Sequence, residues 1–126
     1  MNPPKPGEFC WNELVTTSVP AAKKFYSALL GWKTKAFGKN AVGYTIILKG
    51  KTDKNGMGGM MKCPKPGNPA QWIPYILVED VDATVKKSKK LRGKVCVPPF
   101  DVPTVGRIAV LSDPQGAAFG IIKPEM

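Results

Sequence analysis

The chain contains no histidine. That excludes Ser-His-Asp and Cys-His nucleophilic arrangements and removes the commonest side-chain ligand for transition metals. Any acid–base chemistry falls to carboxylates, Lys, Tyr or Cys. Arginine is scarce as well, since 17 of the 19 basic residues are lysines and the others are Arg92 and Arg107. Net charge is +10, yet arginine is the residue that reads bases and grips phosphates in a fork. The charge therefore reads as a solvated surface, with no nucleic-acid partner. Its densest run, Lys86-Lys87 and Lys89-Lys90, lies on the outer face of a helix and leaves a general attraction for anionic ligands or an acidic partner. Cys10, Cys63 and Cys96 are odd in number and widely spaced, without a Cys-x-x-Cys pair, which predicts three buried, reduced thiols. No apolar run approaches the ~20 residues that span a bilayer. The opening Met1-Asn2-Pro3-Pro4-Lys5-Pro6-Gly7 lacks the apolar core of a signal peptide, so a cytoplasmic protein without a membrane partner is expected.

What is present is a duplication. Ser18-Val19-Pro20-Ala21-Ala22 leads through Phe25-Tyr26 to Leu29-Leu30-Gly31. Asp80-Val81-Asp82-Ala83-Thr84 leads through Val85-Lys86 to Leu91-Arg92-Gly93. With Ser18 set on Asp80, Val19/Val81, Ala21/Ala83, Leu29/Leu91 and Gly31/Gly93 fall at a single offset, and Trp11 and Trp72 precede the copies at the same place to within one residue. Such self-similarity marks a repeated supersecondary unit. At 126 residues and 43% hydrophobic the chain has the size of one domain with a sizeable core.

Each copy reads as β-α-β-β-β. In residues 8–62, an alternating strand over Glu8–Thr16 precedes a helix capped by Ser18, with Pro20 in its first turn. Ala22, Phe25, Tyr26 and Leu29 form its apolar stripe and Gly31 stops it. Strands follow at Trp32–Phe37, Val42–Lys49 and Met57–Lys62, with Lys51–Gly56 as a hairpin connection. The Pro/Gly-rich stretch 63–70 joins the halves. In residues 71–124, a strand over Trp72–Val78 leads to a helix capped by Asp80, burying Val81, Val85, Ser88 and Leu91 and ended by Gly93. Strands are predicted at Lys94–Val97, Arg107–Ser112 and Ala117–Lys123, with Asp113-Pro114-Gln115-Gly116 as a turn and Phe100 and Asp101 on a loop. The class is α+β, two curved sheets cupping a central cleft with the helices outside.

This order, with Phe25-Tyr26-x-x-Leu29-x-Gly31-Trp32 and Gly106-Arg107-x-Ala109-x-x-x-Asp113-Pro114-x-Gly116, resembles the vicinal oxygen chelate superfamily. That superfamily includes glyoxalase I, bleomycin-resistance proteins, extradiol dioxygenases and fosfomycin-resistance enzymes. The similarity runs from about Gly7 to Pro124. Trp72-x-x-Tyr75-x-x-Val78-x-Asp80-Val81-Asp82-Ala83 and Pro98-Pro99-x-Asp101-x-Pro103-x-x-Gly106-Arg107 resemble a single-module subgroup. The resemblance implies metal positions on four strands, at or beside Trp11 and Trp72, near Met60 or Met61, and at Gly120. None of these residues offers imidazole or carboxylate to a hard divalent ion. Neither metal nor another cofactor is therefore expected.

The resulting expectation is a metal-independent protein that binds a planar or hydrophobic small molecule. Trp11 and Trp72 would form the walls of its cleft, unless they merely fill the space of the absent metal. Tyr44 and Met60 would form the floor, and Glu13 or Arg107 would orient the ligand. Arg107 fits a structural salt bridge as well. The alternative is an enzyme of the same superfamily (lyase, isomerase or dioxygenase), metal-assisted or using Glu13, on Trp11's face of the strand, as a base. The resemblance also implies a homodimer.

Overall fold

In the computed structural model, which describes residues 4–36, 44–48, 56–63, 69–102 and 105–125, the class is α+β and the β-α-β-β-β order occurs twice. The first copy runs β1 (Phe9–Thr16), α1 (Val19–Leu30), β2 (Lys33–Ala36), β3 (Thr45–Leu48) and β4 (Gly58–Lys62). The second runs β5 (Gln71–Leu77), α2 (Val81–Lys90), β6 (Lys94–Val102), β7 (Gly106–Ser112) and β8 (Ala118–Pro124). The hairpin connection at 51–55 and most of the joining stretch, 64–68, lie outside the described residues.

The chain divides into two compact units, Asn12–Trp72 and a second made of Met1–Trp11 with Ile73–Met126. The head of the chain belongs to the second unit through its backbone. The Gly7 N–H donates to the Leu77 carbonyl at 2.8 Å, and the Leu77 N–H donates to the Glu8 carbonyl at 2.9 Å.

Both units are wound alike. In the first, β1 pairs parallel with β4, β4 antiparallel with β3, and β3 antiparallel with β2. In the second, β5 pairs parallel with β8, β8 antiparallel with β7, and β7 antiparallel with β6. The registers set Glu13 opposite Gly59 in one and Tyr75 opposite Gly120 in the other. Glu13 and Tyr75 are thus equivalent positions of the repeat.

The helices start where the capping residues dictate. The Ser18 hydroxyl accepts the Ala21 N–H at 3.2 Å, and Asp80 Oδ1 accepts the Ala83 N–H at 2.9 Å; each such cap contributes about 1 kcal/mol. Gly31 ends α1 at φ +73°. At the end of α2 the left-handed residue is Arg92, at φ +71°. Gly93 serves another purpose there, because a β-carbon on it would overlap the Ser88 hydroxyl.

α1 buries less than its periodicity predicts. Ala22 joins Leu14, Ile47 and Met60 in the core, with Val19 and Tyr26 packed against it. Phe25 and Leu29 are 58% and 62% exposed. The buried line runs Val19–Ala22–Tyr26, and Phe25 lies about 100° round the helix from Tyr26. α2 buries Val81 and Val85 against Ala109, Leu111 and Ile121, but Leu91 is exposed.

β6 extends beyond the predicted strand, through Pro98-Pro99, to Val102. It tolerates the prolines as an edge strand with register shifts between Val95 and Val97 and between Val97 and Phe100. Phe100 and Asp101 therefore sit in a strand, opposite Ile108 and Arg107, and not on a loop. The three cysteines are free thiols, as expected of reduced residues, but Cys96 is exposed and Cys10 and Cys63 are half-buried. Burial pushes the Cys10 thiol up from its ordinary value. No helix among the described residues is long and apolar enough to cross a membrane.

Candidate functional site

Glu13 is fully buried. Strand alternation places it on the face of β1 opposite Leu14, which packs under α1. Its Oε2 accepts a hydrogen bond from the Tyr44 hydroxyl at 3.0 Å. Tyr44 immediately precedes β3 and is 1% exposed. Its ring lies over Gly59, the register partner of Glu13, and a β-carbon on Gly59 would overlap it. A buried carboxyl group is costly without hydrogen bonds, and the Tyr44 phenol supplies one.

The second unit repeats this device with different residues. Tyr75, the counterpart of Glu13, is fully buried, and its ring covers Gly120 so closely that a β-carbon there would overlap it. Gly59 and Gly120 are strand glycines required by an aromatic ring seated on the backbone. An isolated glycine within an apolar strand, as Gly120 is, is the sequence signal of such close approach, and the Gly58-Gly59 pair reads in the sequence as close backbone packing too.

The two tryptophans of the duplication have different surroundings, each on its own strand. Trp11 is half-buried and shares strand parity with Glu13. Trp72 is three residues from Tyr75, so it lies on the opposite face of β5 from that ring. Its indole N–H donates to the Tyr26 hydroxyl at 3.2 Å. It meets Tyr26 edge-on at 5.5 Å and Trp32 edge-on at 6.0 Å, while Tyr26 stacks on Trp32 at 5.4 Å with 19° between planes. These rings pack on one another and leave no slot for a ligand between them. Met60 is fully buried in the core beneath α1.

Arg107 on β7 is a fork between carboxylates. Its Nε and Nη2 donate to the two oxygens of Asp82 at 2.9 and 3.1 Å, and Nη1 donates to Asp101 at 3.2 Å. These hydrogen bonds hold the Asp82 carboxyl below its ordinary value and raise that of the Arg107 guanidinium. The geometry is that of the structural salt bridge, tying the first turn of α2 to β6 and β7.

The residues do not fit the metal that the resemblance associates with this fold. At Gly120 any side chain would collide with Tyr75, Met60 points into the helix-facing core, and Trp72 is hydrogen-bonded to Tyr26. Among the described residues no group of three or more His, Cys, Asp or Glu side chains could hold an ion.

Comparison with known proteins agrees with the fold. Residues 11–121 match the family model of the Glyoxalase/Bleomycin resistance protein/Dioxygenase superfamily. The chain is 42% identical over 122 residues to the protein named "Putative glyoxylase CFP32" of Mycobacterium bovis, covering 94% of this chain and 44% of that one. It is 35% identical over 128 residues to the anthracycline biosynthesis protein DnrV of Streptomyces peucetius, covering 92% and 46%. The chain thus spans less than half the length of these curated relatives. Among solved structures, a variant of the Streptomyces coelicolor methylmalonyl-CoA epimerase in complex with 2-nitronate-propionyl-CoA superposes with a TM-score of 0.64 at 15% identity, covering 97% of this chain and all of that one (100%). The Mn(II)-bound glyoxalase of Novosphingobium aromaticivorans superposes at 0.58 with 16% identity, covering 94% and 39%; at such identities the likeness is one of fold. On the span and strength of the sequence match, the chain belongs to the glyoxalase/bleomycin resistance protein/dioxygenase superfamily.

Proposed function

We propose that this protein is a metal-independent member of its superfamily that binds a planar or hydrophobic small molecule. The observation that carries the reading is the pair of tyrosine rings seated on Gly59 and Gly120. They take up side-chain space on β4 and β8, strands from which the family's metal enzymes draw ligands. Small-molecule binding is supported by the epimerase neighbour, whose structure is a complex with 2-nitronate-propionyl-CoA, and by the relative named as an anthracycline biosynthesis protein. Trp11 and the Glu13–Tyr44 pair are the residues proposed to meet the ligand. Trp72, Met60 and Arg107 are left out of this proposal, since each already has packing or hydrogen-bond partners in the folded chain.

The test combines elemental analysis with ligand titration. After incubation with manganese, nickel, iron and zinc salts, less than stoichiometric metal per chain is expected. Polycyclic aromatic compounds and acyl-CoA thioesters should then quench tryptophan emission, with the response reduced in Trp11→Phe and retained in Trp72→Phe. One tightly held ion per chain would overturn the metal-independent reading.

A second reading, an enzyme using Glu13 as a base, is favoured by the hydrogen bond from Tyr44 to a fully buried carboxylate. Both readings require an opening motion, because Glu13 and Tyr44 are sealed from solvent. Deuterium incorporation into methylmalonyl-CoA in heavy water, abolished by Glu13→Gln, would establish it.

Pairing as a homodimer belongs to the same proposal. It is supported by the exposed Phe25, Leu29 and Leu30 of α1. Sedimentation velocity should give a dimer that Leu29→Asp converts to monomer.

A further inference from the structure

The duplication is unequal at one place. With Ser18 set on Asp80, Ala22 corresponds to Thr84, Phe25 to Lys87, Tyr26 to Ser88, Leu29 to Leu91 and Trp32 to Lys94. In the first unit the Tyr26 ring fills the space beside α1 and stacks on Trp32. In the second unit the counterparts of both rings are small or flexible. A cavity of about 270 Å³ remains beside the C-terminal half of α2. Thr84, Ser88 and Leu91 line it from the helix, Leu111 and Phe119 from the sheet, and Lys87 stands at its rim. The pocket is partly open to solvent, and Leu91 on its wall is exposed.

We propose that this cavity is a binding site for a small aromatic acid, a flat ring of one or two cycles bearing a carboxylate or sulfonate. The ring takes the place that Tyr26 holds in the other copy, against Leu111 and Phe119. The acid group faces Lys87, the lysine on the lining. The anionic residue on the lining, Asp113, is already engaged, its Oδ1 accepting the N–H groups of Gln115 and Ala117 at 3.0 and 2.9 Å. The volume lies just below the ~300 Å³ at which drug-sized pockets begin, which limits the ligand to one or two rings. The site uses none of the residues assigned to ligand binding above, so the two proposals stand or fall separately.

The test is a titration of the ¹⁵N-labelled protein with 2-naphthoate and with its neutral amide, followed by amide shifts. Saturable shifts are expected in residues 84–93, 111–113 and 119, reaching half-saturation below about 5 mM for the acid and at least fivefold higher for the amide, as a small ligand with one charge contact should. Ser88→Tyr restores the side chain of the first repeat and should abolish the shifts. Lys87→Glu, a substitution at an exposed position, should raise the acid's dissociation constant about tenfold at low salt by reversing the rim charge. Absence of saturable shifts, shifts centred elsewhere, or binding by Ser88→Tyr equal to that of the parent would overturn the proposal. If Ser88→Tyr does not fold, Lys87→Glu decides, and unchanged affinity for the acid would overturn it.

Discussion

At the scale of single residues, a strand glycine beneath a tyrosine ring tolerates little change. A methyl group at Gly120 has nowhere to go but into the Tyr75 ring, so Gly120→Ala is expected to destabilise the protein by about 1–3 kcal/mol, the usual cost of overpacking. Urea unfolding measures this, and a Tyr75→Leu background should recover most of the loss, as coupling between touching residues requires. Arg92 is the opposite case. A side chain held at φ +71° is strained, and Arg92→Gly should gain about 0.5–1 kcal/mol once the greater flexibility of unfolded glycine is subtracted. A fall in melting temperature would show that the Arg92 side chain contributes more than its backbone costs. The tryptophans teach a different lesson. Their spacing to the repeats differs by one residue, and a one-residue slip in a strand exchanges its faces. Trp11 shares the face of Glu13, and Trp72 joins Tyr26 and Trp32 beside α1. A match to within one residue in sequence is no match in orientation.

At the scale of elements, α2 is tied down at its first turn by the fork from Arg107 to Asp82 and Asp101. Asp82 titrates below its ordinary value chiefly because of the Arg107 hydrogen bonds. A depressed carboxylate contributes stability that is complete above its unfolded pKa of about 3.9 and is lost as pH falls through the lower folded value. The stability difference between the parent and Arg107→Ala, followed by thermal melts, should hold constant at neutral pH and shrink below about pH 4. A difference independent of pH would show that Arg107 acts by packing. Both helix starts and the stop of α1 at Gly31 were legible in the sequence, because caps and glycines act locally, whereas α2 ends ahead of Gly93, with Arg92 as its left-handed residue. The extent of burial was not. Periodicity marks Phe25 and Leu29 as part of one stripe, but the packed line runs through Val19, Ala22 and Tyr26. β6 was cut short in the reading because Pro98-Pro99 would break a central strand, and only pairing on one side, to β7 alone in its sheet, makes room for them.

At the scale of the whole molecule, nine acidic residues face 19 basic ones, so the folded chain works against its own charge. The melting temperature should therefore rise by a few degrees between about 10 and 300 mM sodium chloride as screening shortens the range of repulsion. Insensitivity to salt would mean that the lysines are far enough apart to be solvated independently.

The sequence by itself determined the α+β class, the double β-α-β-β-β order, the helix starts and the lack of histidine, because each depends on local chemistry or on composition. Only the tertiary structure decided that Tyr44 and Tyr75 sit on glycines of neighbouring strands, that Met60 and Trp72 face the helix side, that Arg107 is spent on Asp82 and Asp101, and that the second repeat keeps a cavity where the first keeps a tyrosine. Each of those depends on which residues distant in the chain come to lie opposite one another. Strand register sets that, and no local pattern encodes it.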